Sequence, residues 1–478
     1  MSDAKEFKGS NTYYKDMLGK KYYTNKVTVT GLLRNSVYYY KRKLNDIWED
    51  PIQFTTRDPD NFNFIFFGDP QIGGSKNRLS VANRTQPLTV LEGTRNDAFN
   101  WNISVMKSFE FTGGPSLVMT AGDQADSECT DNQEESFINQ EIQFNAFLLP
   151  ELLKTVPMAA CVGNHEANTD NFRNHFNAPN ALTDPIYIKN GFEGPVPGYN
   201  YFFKYNNVLV VVLETNNSNC DDFKTIIEKA INKHPNTDWR IAMFHHDIYG
   251  NGYIHSKEDY ILNKLRPCLT EFFSKHKFDL VINGHDHVYT STHFVAFDGN
   301  SDINTSTSYI VSEIHSSEVY NNTKGAEGTL YITANCATGS KLYTFHSHVP
   351  DYVYHYNQTF TSTFGVLDFE RNNDTVRLKI TSYEVDSLDI TDGPYIFEKM
   401  INSNNNTNID VQYVYDKGNS KIWLILIIII VVLIVVLLLV YRGYLKKKNN
   451  DNLGRLFKVT SRTHLSGRSN SHNNIYIH

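Results

Sequence analysis

The stretch FNFIFFGD (62–69) opens a pattern that recurs four times, as PSLVMTAGD (115–123), PMAACVGNH (157–165), WRIAMFHH (239–246) and FDLVINGHDH (278–287). Each is a short apolar run that ends on residues able to bind a metal: Asp69, Asp123, Asn164 with His165, His245 with His246, and His285 with His287. Such runs predict strands buried on both faces, and in layered α/β folds ligands collect at the carboxyl ends of the strands. A Gly-Asp pair alone makes an ordinary turn, and a lone histidine an ordinary core residue. Five in succession, each after a buried strand, argue instead for one oxygen- and nitrogen-rich pocket. No chemical role follows for Asp247, Asp286 or His175.

The residue types decide what fills that pocket. Two carboxylates, a side-chain amide and three or four imidazoles, with no thiolate, suit divalent or mixed-valence ions of iron, zinc or manganese. They are too many for one tetrahedral ion. Two ions sharing a bridging carboxylate can hold a hydroxide and clamp the attacking and leaving oxygens of a phosphoryl transfer. Phosphoester hydrolysis is the expected chemistry.

The blocks GDPQ (68–71), GDQAD (122–126), GNHE (163–166), FHHDIY (244–249) and GHDH (284–287) resemble, in order, the signature of the calcineurin-like metallophosphoesterases, and within them the purple acid phosphatases. The likeness runs from about Asn61 to about Val385. It implies that Asp123 bridges two ions, with Asp69 and His287 on the first, and Asn164, His285 and one of the pair His245/His246 on the second. The family often has an aromatic residue four positions beyond this last ligand, here Tyr249, and a substrate-facing histidine ten beyond it, here His255, so His245 is favoured and His246 is the fallback. His165 and His255 are implied as the residues that help the leaving oxygen depart.

Two departures bear on the first ion. Purple acid phosphatases place a tyrosine three residues after the bridging aspartate, and its phenolate on ferric iron gives the colour; here Asp126 stands there. Other branches have a histidine two residues after the first aspartate, where this chain has Gln71. Gln71, Asp126 or water is left to complete the shell, or Asp126 orients a neighbouring group.

The chain has 478 residues, 40% hydrophobic and 13% aromatic, enough for one large core with accessory pieces. Ile422–Val440 is an uninterrupted apolar run. At about 1.5 Å per residue such a run crosses a hydrocarbon layer of roughly 30 Å, so a single transmembrane helix is expected over 421–441. Beyond it, eight Lys or Arg and one Asp give a net +7, which leaves −14 of the total −7 for residues 1–441. The basic side stays in the cytoplasm. The Asn-x-Ser/Thr acceptors agree, falling at Asn83, Asn102, Asn216, Asn304, Asn321, Asn357, Asn373 and Asn405 and never after the apolar run. The expectation is a single-pass type I glycoprotein with its catalytic domain extracellular or lumenal. An acidic ectodomain is a poor nucleic-acid partner, whereas the basic tail suits an anionic inner leaflet.

Five cysteines are too few for a disulfide framework; Cys161 lies in a core strand, and Cys129, Cys220, Cys268 and Cys336 could pair in three ways. The segment KVTVTGLLRNSVYYYKRKLNDIWEDPIQFTT (26–56) alternates like three strands and resembles the end of the fibronectin type III-like domain that often precedes such catalytic domains. Residues 1–58 fall short of the roughly 100 that a sandwich needs, so missing strands and a signal segment are expected upstream, with signal-independent insertion by the transmembrane segment as the alternative. Helices are expected over 97–109, 134–154, 221–233 and 257–275, the last opened by a Ser256–Asp259 capping box, and a hairpin turning at 372–374.

The expected organisation is therefore a partial fibronectin type III-like β domain (1–58), an α/β metallophosphoesterase domain built as a two-sheet sandwich flanked by helices (59–398), an Asn-rich stalk (399–420), a transmembrane helix (421–441) and a basic cytoplasmic tail (442–478). The expected activity is hydrolysis of phosphomonoesters on small molecules or other phosphoester substrates. A phosphodiesterase or nucleotide pyrophosphatase on the same fold is the alternative within enzymes, and a receptor or adhesion protein with a retired site the alternative outside them.

Overall fold

The computed structural model describes residues 4–401 except 16–20, 45, 80–85, 128–132, 168, 185–197, 217–218, 299–308, 314–318 and 322–327. The five apolar runs all become strands. β7 (Asn61–Phe67), β8 (Leu117–Thr120) and β9 (Met158–Ala160) lie side by side and parallel. They form one half of a seven-stranded sheet ordered β17-β22-β21-β20-β7-β8-β9, completed by β17 (Val319–Asn321), β20 (Thr363–Arg371), β21 (Thr375–Glu384) and β22 (Ile390–Met400). β12 (Trp239–Met243) and β13 (Leu280–Asn283) are the parallel centre of a second seven-stranded sheet, β10-β11-β12-β13-β18-β14-β19. Its other strands are β10 (Tyr201–Tyr205), β11 (Val208–Val212), β14 (Tyr289–Thr292), β18 (Leu330–Thr333) and β19 (Val353–Asn357). β15 (Phe294–Phe297) and β16 (Tyr309–Ser312) pair separately.

The period of two along each strand builds three layers of packing at once. Phe64 and Phe66 of β7 share a buried core with Val210 and Val212 of β11 and Ile241 and Met243 of β12, so the two sheets stack on each other. The intervening Ile65 and Phe67 face outward against Trp101, Val105 and Phe109 of helix α1 (Val90–Thr112) and Phe147 of α2 (Gln133–Phe147). On the other side, Leu209 and Val211 meet Phe223, Ile226 and Ile227 of a helix at Cys220–Lys233 and Leu269 and Phe273 of another at Arg266–Lys275. At about 1.5–3 kcal/mol for each such side chain, it is double-sided burial that holds short strands of four or five residues in place. The expected two-sheet sandwich with helices on both outer faces is the observed one.

Several boundaries differ from expectation for local reasons. The helix begun at Gln133 ends at Phe147, and Pro150 separates it from a single tight turn at Glu151–Thr155. The Ser256 hydroxyl donates to the Gly252 carbonyl at 2.6 Å, so it does not cap a helix, and winding starts at Asp259. The hairpin forms as expected, with the Asn372 side chain accepting from the Asp374 and Thr375 amides at 2.9 and 2.7 Å.

Residues before the catalytic domain form three separate strand pairs: β1 (Ser10–Lys15) with β2 (Lys21–Lys26), β3 (Ser36–Tyr40) with β6 (Ile52–Thr56), and the two-residue β4 (Lys43–Leu44) with β5 (Ile47–Trp48). Among the described residues they do not close into a sandwich. Val27, Val29 and Leu33 lie in no strand and are 46%, 48% and 71% exposed, because no second sheet covers the alternating face. The expected transmembrane helix and basic tail, and most of the stalk, lie outside the described residues; among the described ones, no helix is long and apolar enough to cross a membrane.

Cys220 and Cys268 are disulfide-bonded and tie together the two helices over the second sheet, while Cys161 and Cys336 are buried free thiols. Cys129 lies outside the described residues. Cys220→Ser is expected to lower the unfolding free energy by about 2–4 kcal/mol in a urea titration. An unchanged midpoint would mean that the bond does not form.

Candidate metal centre

Each ligand-type residue sits two to four positions beyond its strand, where the chain must turn back. Asp123, His285 and His287 do so with positive φ of 44°, 75° and 50°. Left-handed backbone at non-glycine residues costs of order 1–3 kcal/mol each and persists where the surroundings enforce it. The enforcement is visible. The His285 amide donates to both Asp69 oxygens at 3.1 and 2.9 Å, and the His165 amide to Asp123 Oδ1 at 3.0 Å. A Cβ on Gly284 would lie 1.9 Å from Asp69 Oδ1, and one on Gly163 2.0 Å from Asp123 Oδ1. Glycine is required at both places because the carboxylates press against the main chain. Buried Glu166 braces the same corner, accepting from the Gly163 and Ala125 amides at 2.7 and 2.9 Å. Burial and the nearby Asp123 push its pKa up to about 8.

Three imidazoles converge, and two of them, His245 and His287, have the outer nitrogen fixed on a main-chain carbonyl. His245 Nδ1 contacts the Ala121 carbonyl at 2.9 Å, which leaves Nε2 facing Asn164 Oδ1 at 2.8 Å and Asp123 Oδ1 at 3.4 Å. His287 Nδ1 lies 2.5 Å from the Lys341 carbonyl, and its Nε2 lies 2.8 Å from Asp69 Oδ2. His285 turns Nδ1 to Asn164 Oδ1 and His245 Nε2, at 3.0 and 3.1 Å, with Nε2 3.7 Å from Glu258. Anchoring one ring nitrogen on a carbonyl or carboxylate is what orients the other as a metal ligand.

The donor set fits metal ions. Separations near 3 Å among Asn164, His245 and His285 match those of ligands sharing one ion at bond lengths of about 2.0–2.2 Å. Asp69, Asp123 and His245 offer a second set of ligand atoms within 4.8 Å of one another. Without the ions a proton stands in: burial pulls His245 toward neutrality, but Asp123 and Asp69 outweigh it and push its pKa up to about 10. Burial raises Asp123, yet His245 and His165 overcome that and hold it well below the usual carboxylate range. Metal entry must displace the His245 proton, so metal affinity falls as pH is lowered.

His246 is placed apart from this set, with Nδ1 2.7 Å from the Thr215 hydroxyl and a pKa lowered to about 3 by burial and by His245. Gln71 is fully buried with its side-chain amide unpartnered among the described residues. Asp126 is held between two lysines, Lys76 Nζ at 3.4 Å and Lys341 Nζ at 3.3 Å, with His165 Nδ1 at 3.7 Å. His165 lies beside the carboxylate pair, its Nε2 3.9 Å from Asp123 Oδ2, and its pKa is lowered by burial. His255 packs against His285 with ring centroids 4.1 Å apart, and its Nδ1 contacts Glu258 Oε1 at 2.5 Å. The glycine-flanked turn at 250–252 is buried and pinned, with the Gly252 amide donating to Asp286 Oδ2 at 2.6 Å and the Tyr352 hydroxyl to the Gly250 carbonyl at 2.8 Å. Asp286, without a role in the sequence, thus secures the loop that carries His255.

Sequence reasoning missed four residues here: Glu166, Glu258, Lys341 and Tyr343, whose ring stacks on His287 at 4.6 Å. Glu166 and Glu258 were visible as acids one and three residues beyond site histidines. Lys341 and Tyr343 carry no such signal, since they come from a segment more than fifty residues after GHDH that folds back over it.

Residues 62–289 match the family model of the calcineurin-like phosphoesterases. Over those residues the chain carries a domain of that family. Among solved structures, it is similar to the purple acid phosphatase PPD1 from yellow lupin (Lupinus luteus) seeds, at 14% identity and a TM-score of 0.52, covering 83% of this chain and 70% of that one. At that identity the likeness shows a shared fold. Others include GAP50, the anchor in the inner membrane complex of Plasmodium (13% identity, TM-score 0.37, 70% of this chain and 88% of that one), and a putative 5'-nucleotidase from Staphylococcus aureus (13%, 0.32, 65% and 51%). No curated protein matches the chain.

His245→Ala is expected to release metal from this phosphoesterase, and His246→Ala to retain it, by elemental analysis of the purified protein. Loss in the second variant alone would exchange their roles.

Proposed function

We propose that this phosphoesterase is a membrane-anchored, outward-facing phosphatase that hydrolyses phosphomonoesters at a two-metal site. The observation that carries the reading is the convergence of Asp69, Asp123, Asn164, His245, His285 and His287 from two sheets onto one point, with His245 and His287 each oriented by a main-chain carbonyl. Asp69 and His287 would hold one ion, Asn164, His245 and His285 the other, and Asp123 both. Iron, zinc or manganese bound there would supply Lewis acidity at the phosphoryl oxygens and lower the pKa of water.

The chain's own residues do the rest. His165, neutral because it is buried, lies next to Asp123 and can hold or pass a proton through Nε2. An ionised carboxylate can only accept, so Glu258 fixes Nδ1 of His255 as a donor and leaves Nε2 to carry a proton toward a departing oxygen. The ring contact with His285 keeps His255 at the edge of the metal set.

The outward placement rests on the apolar run 422–440, the basic residues after it and the Asn-x-Ser/Thr acceptors before it. The Cys220–Cys268 bond supports it, since disulfides persist in oxidising compartments. Asn102 and Asn373 are exposed and can carry glycans, whereas the Asn216 amide is engaged by Glu214 Oε1 at 2.8 Å.

Three measurements test the proposal. Asp123→Asn is expected to abolish hydrolysis of phosphomonoesters by the metal-loaded protein; near wild-type turnover would remove the two-metal reading, and faster diester than monoester hydrolysis by the wild type would select the phosphodiesterase alternative. His255→Ala should slow alkyl phosphate hydrolysis by roughly 10²–10⁴-fold while sparing nitrophenyl phosphate, whose leaving group needs no proton. Equal losses on both would take His255 out of that role. A tag placed after His478 should be reached by antibody only after cells are permeabilised, and staining of intact cells would reverse the topology.

A further inference from the structure

The second sheet holds a sixth apolar run, VLVVVL (208–213), which ends on Glu214, Thr215 and Asn216 instead of on a metal ligand. The turn closes on its own carboxylate. The main-chain N–H and the side-chain amide of Asn216 both donate to Glu214 Oε1 at 2.8 Å, and the Glu214 amide donates to Asn200 Oδ1 at 2.8 Å.

Three bonds run from this turn to the site. The Asn216 side-chain amide also donates to the Gly163 carbonyl at 3.3 Å, the Thr215 hydroxyl meets His246 Nδ1 at 2.7 Å, and the Thr215 carbonyl accepts from the Tyr260 hydroxyl at 2.6 Å. Gly163 directly precedes the ligand Asn164. Its amide is held by Glu166 at 2.7 Å, and Asp123 fills the space where a side chain would stand. The carbonyl lies in the same rigid peptide plane as the Asn164 nitrogen, so fixing it fixes the direction in which Asn164 leaves the strand.

We propose that Asn216 is a positioning residue for the second ion: through the Gly163 carbonyl it sets Asn164 Oδ1 where His245 Nε2 and His285 Nδ1 meet it, at 2.8 and 3.0 Å. This rests on the two-metal reading above. A side-chain amide has two hydrogens, and here one goes to Gly163 and the other to Glu214. A sugar on that nitrogen replaces one of them, and the bond it made is lost. The acceptor Asn216-Asn217-Ser218 is complete in sequence, yet molecules with the native turn carry no glycan there.

The test uses full-length protein made in eukaryotic cells, purified in detergent, stripped with chelator and titrated with manganese. Asn216→Ala is expected to weaken one of two ions about 10- to 100-fold, as loss of an outer hydrogen bond does, while the other stays within about threefold of wild type. The electron paramagnetic resonance spectrum then changes from that of a coupled manganese pair to the hyperfine pattern of an isolated ion. Asn216→Ser leaves one donor where the amide has two, guards against loss of the fold, and should give the same selective weakening. Ser218→Ala removes the acceptor sequence but keeps the Asn216 amide, so it should bind both ions as the wild type does, and glycopeptide mapping of the wild type should find no sugar on Asn216. Wild-type affinity for both ions in Asn216→Ala and Asn216→Ser overturns the inference. So does a sugar on Asn216, or equal loss of both ions with a lowered thermal midpoint, which would make the turn a support for the fold at large. Fewer than two ions in the wild type would defeat the two-metal reading and this inference with it, whereas selective loss in the variants of a wild type that binds two ions but hydrolyses nothing would sustain the inference and defeat only the phosphatase reading.

Discussion

Everything at the centre of this fold answers to two carboxylates, Asp69 and Asp123, buried to 0% and 1% exposure at the meeting point of two sheets. Taking such charges out of water costs several kcal/mol apiece unless opposite charge and hydrogen bonds surround them. The chain meets that demand with main-chain amides from His285 and His165, with imidazoles from the second sheet, and with a glycine facing each carboxylate. The left-handed turns at Asp123, His285 and His287 accompany it, with the His285 amide brought onto Asp69 and the His165 amide onto Asp123. Metal ions held there would complete the neutralisation, and without them His245 holds a proton, its pKa pushed up to about 10 by Asp123 and Asp69 against the pull of burial.

The sandwich was legible because its strands are buried on both faces and so read as unbroken apolar runs. Phe64 to Phe67 alternate between the inter-sheet core and helix α1, yet all four are apolar, and the run ends where Gly68 and Asp69 mark the turn. The ligand set was legible for the same reason: a charged or imidazole side chain directly after a buried strand has few structural uses. Boundaries were less so. Ser256 looked like a helix cap by spacing, but its hydroxyl finds the Gly252 carbonyl, a choice that depends on a turn pinned by Asp286 from another strand.

Residues that reach the site from far away in sequence left no trace in the pattern. Lys341 sits among small and hydroxylated residues, and nothing local distinguishes it from a surface lysine. Only the return of its segment over His287 gives it meaning. At the N-terminus the alternation in 26–56 does yield strands, Ser36–Tyr40 and Ile52–Thr56. Alternation supplies a face without supplying the sheet that covers it, and among the described residues Val27, Val29 and Leu33 are exposed.

In place of a tyrosine the chain sets an aspartate, and around that aspartate two lysines. That carboxylate is held by Lys76 and Lys341 and lies 3.7 Å from His165 Nδ1. X-ray absorption at the metal edge of the purified full-length protein tests the central claim most directly. The account predicts two ions per chain, nitrogen and oxygen neighbours without sulfur, and a metal–metal distance of about 3.5–4 Å. A single ion with no metal–metal scattering, or a sulfur neighbour, would contradict it.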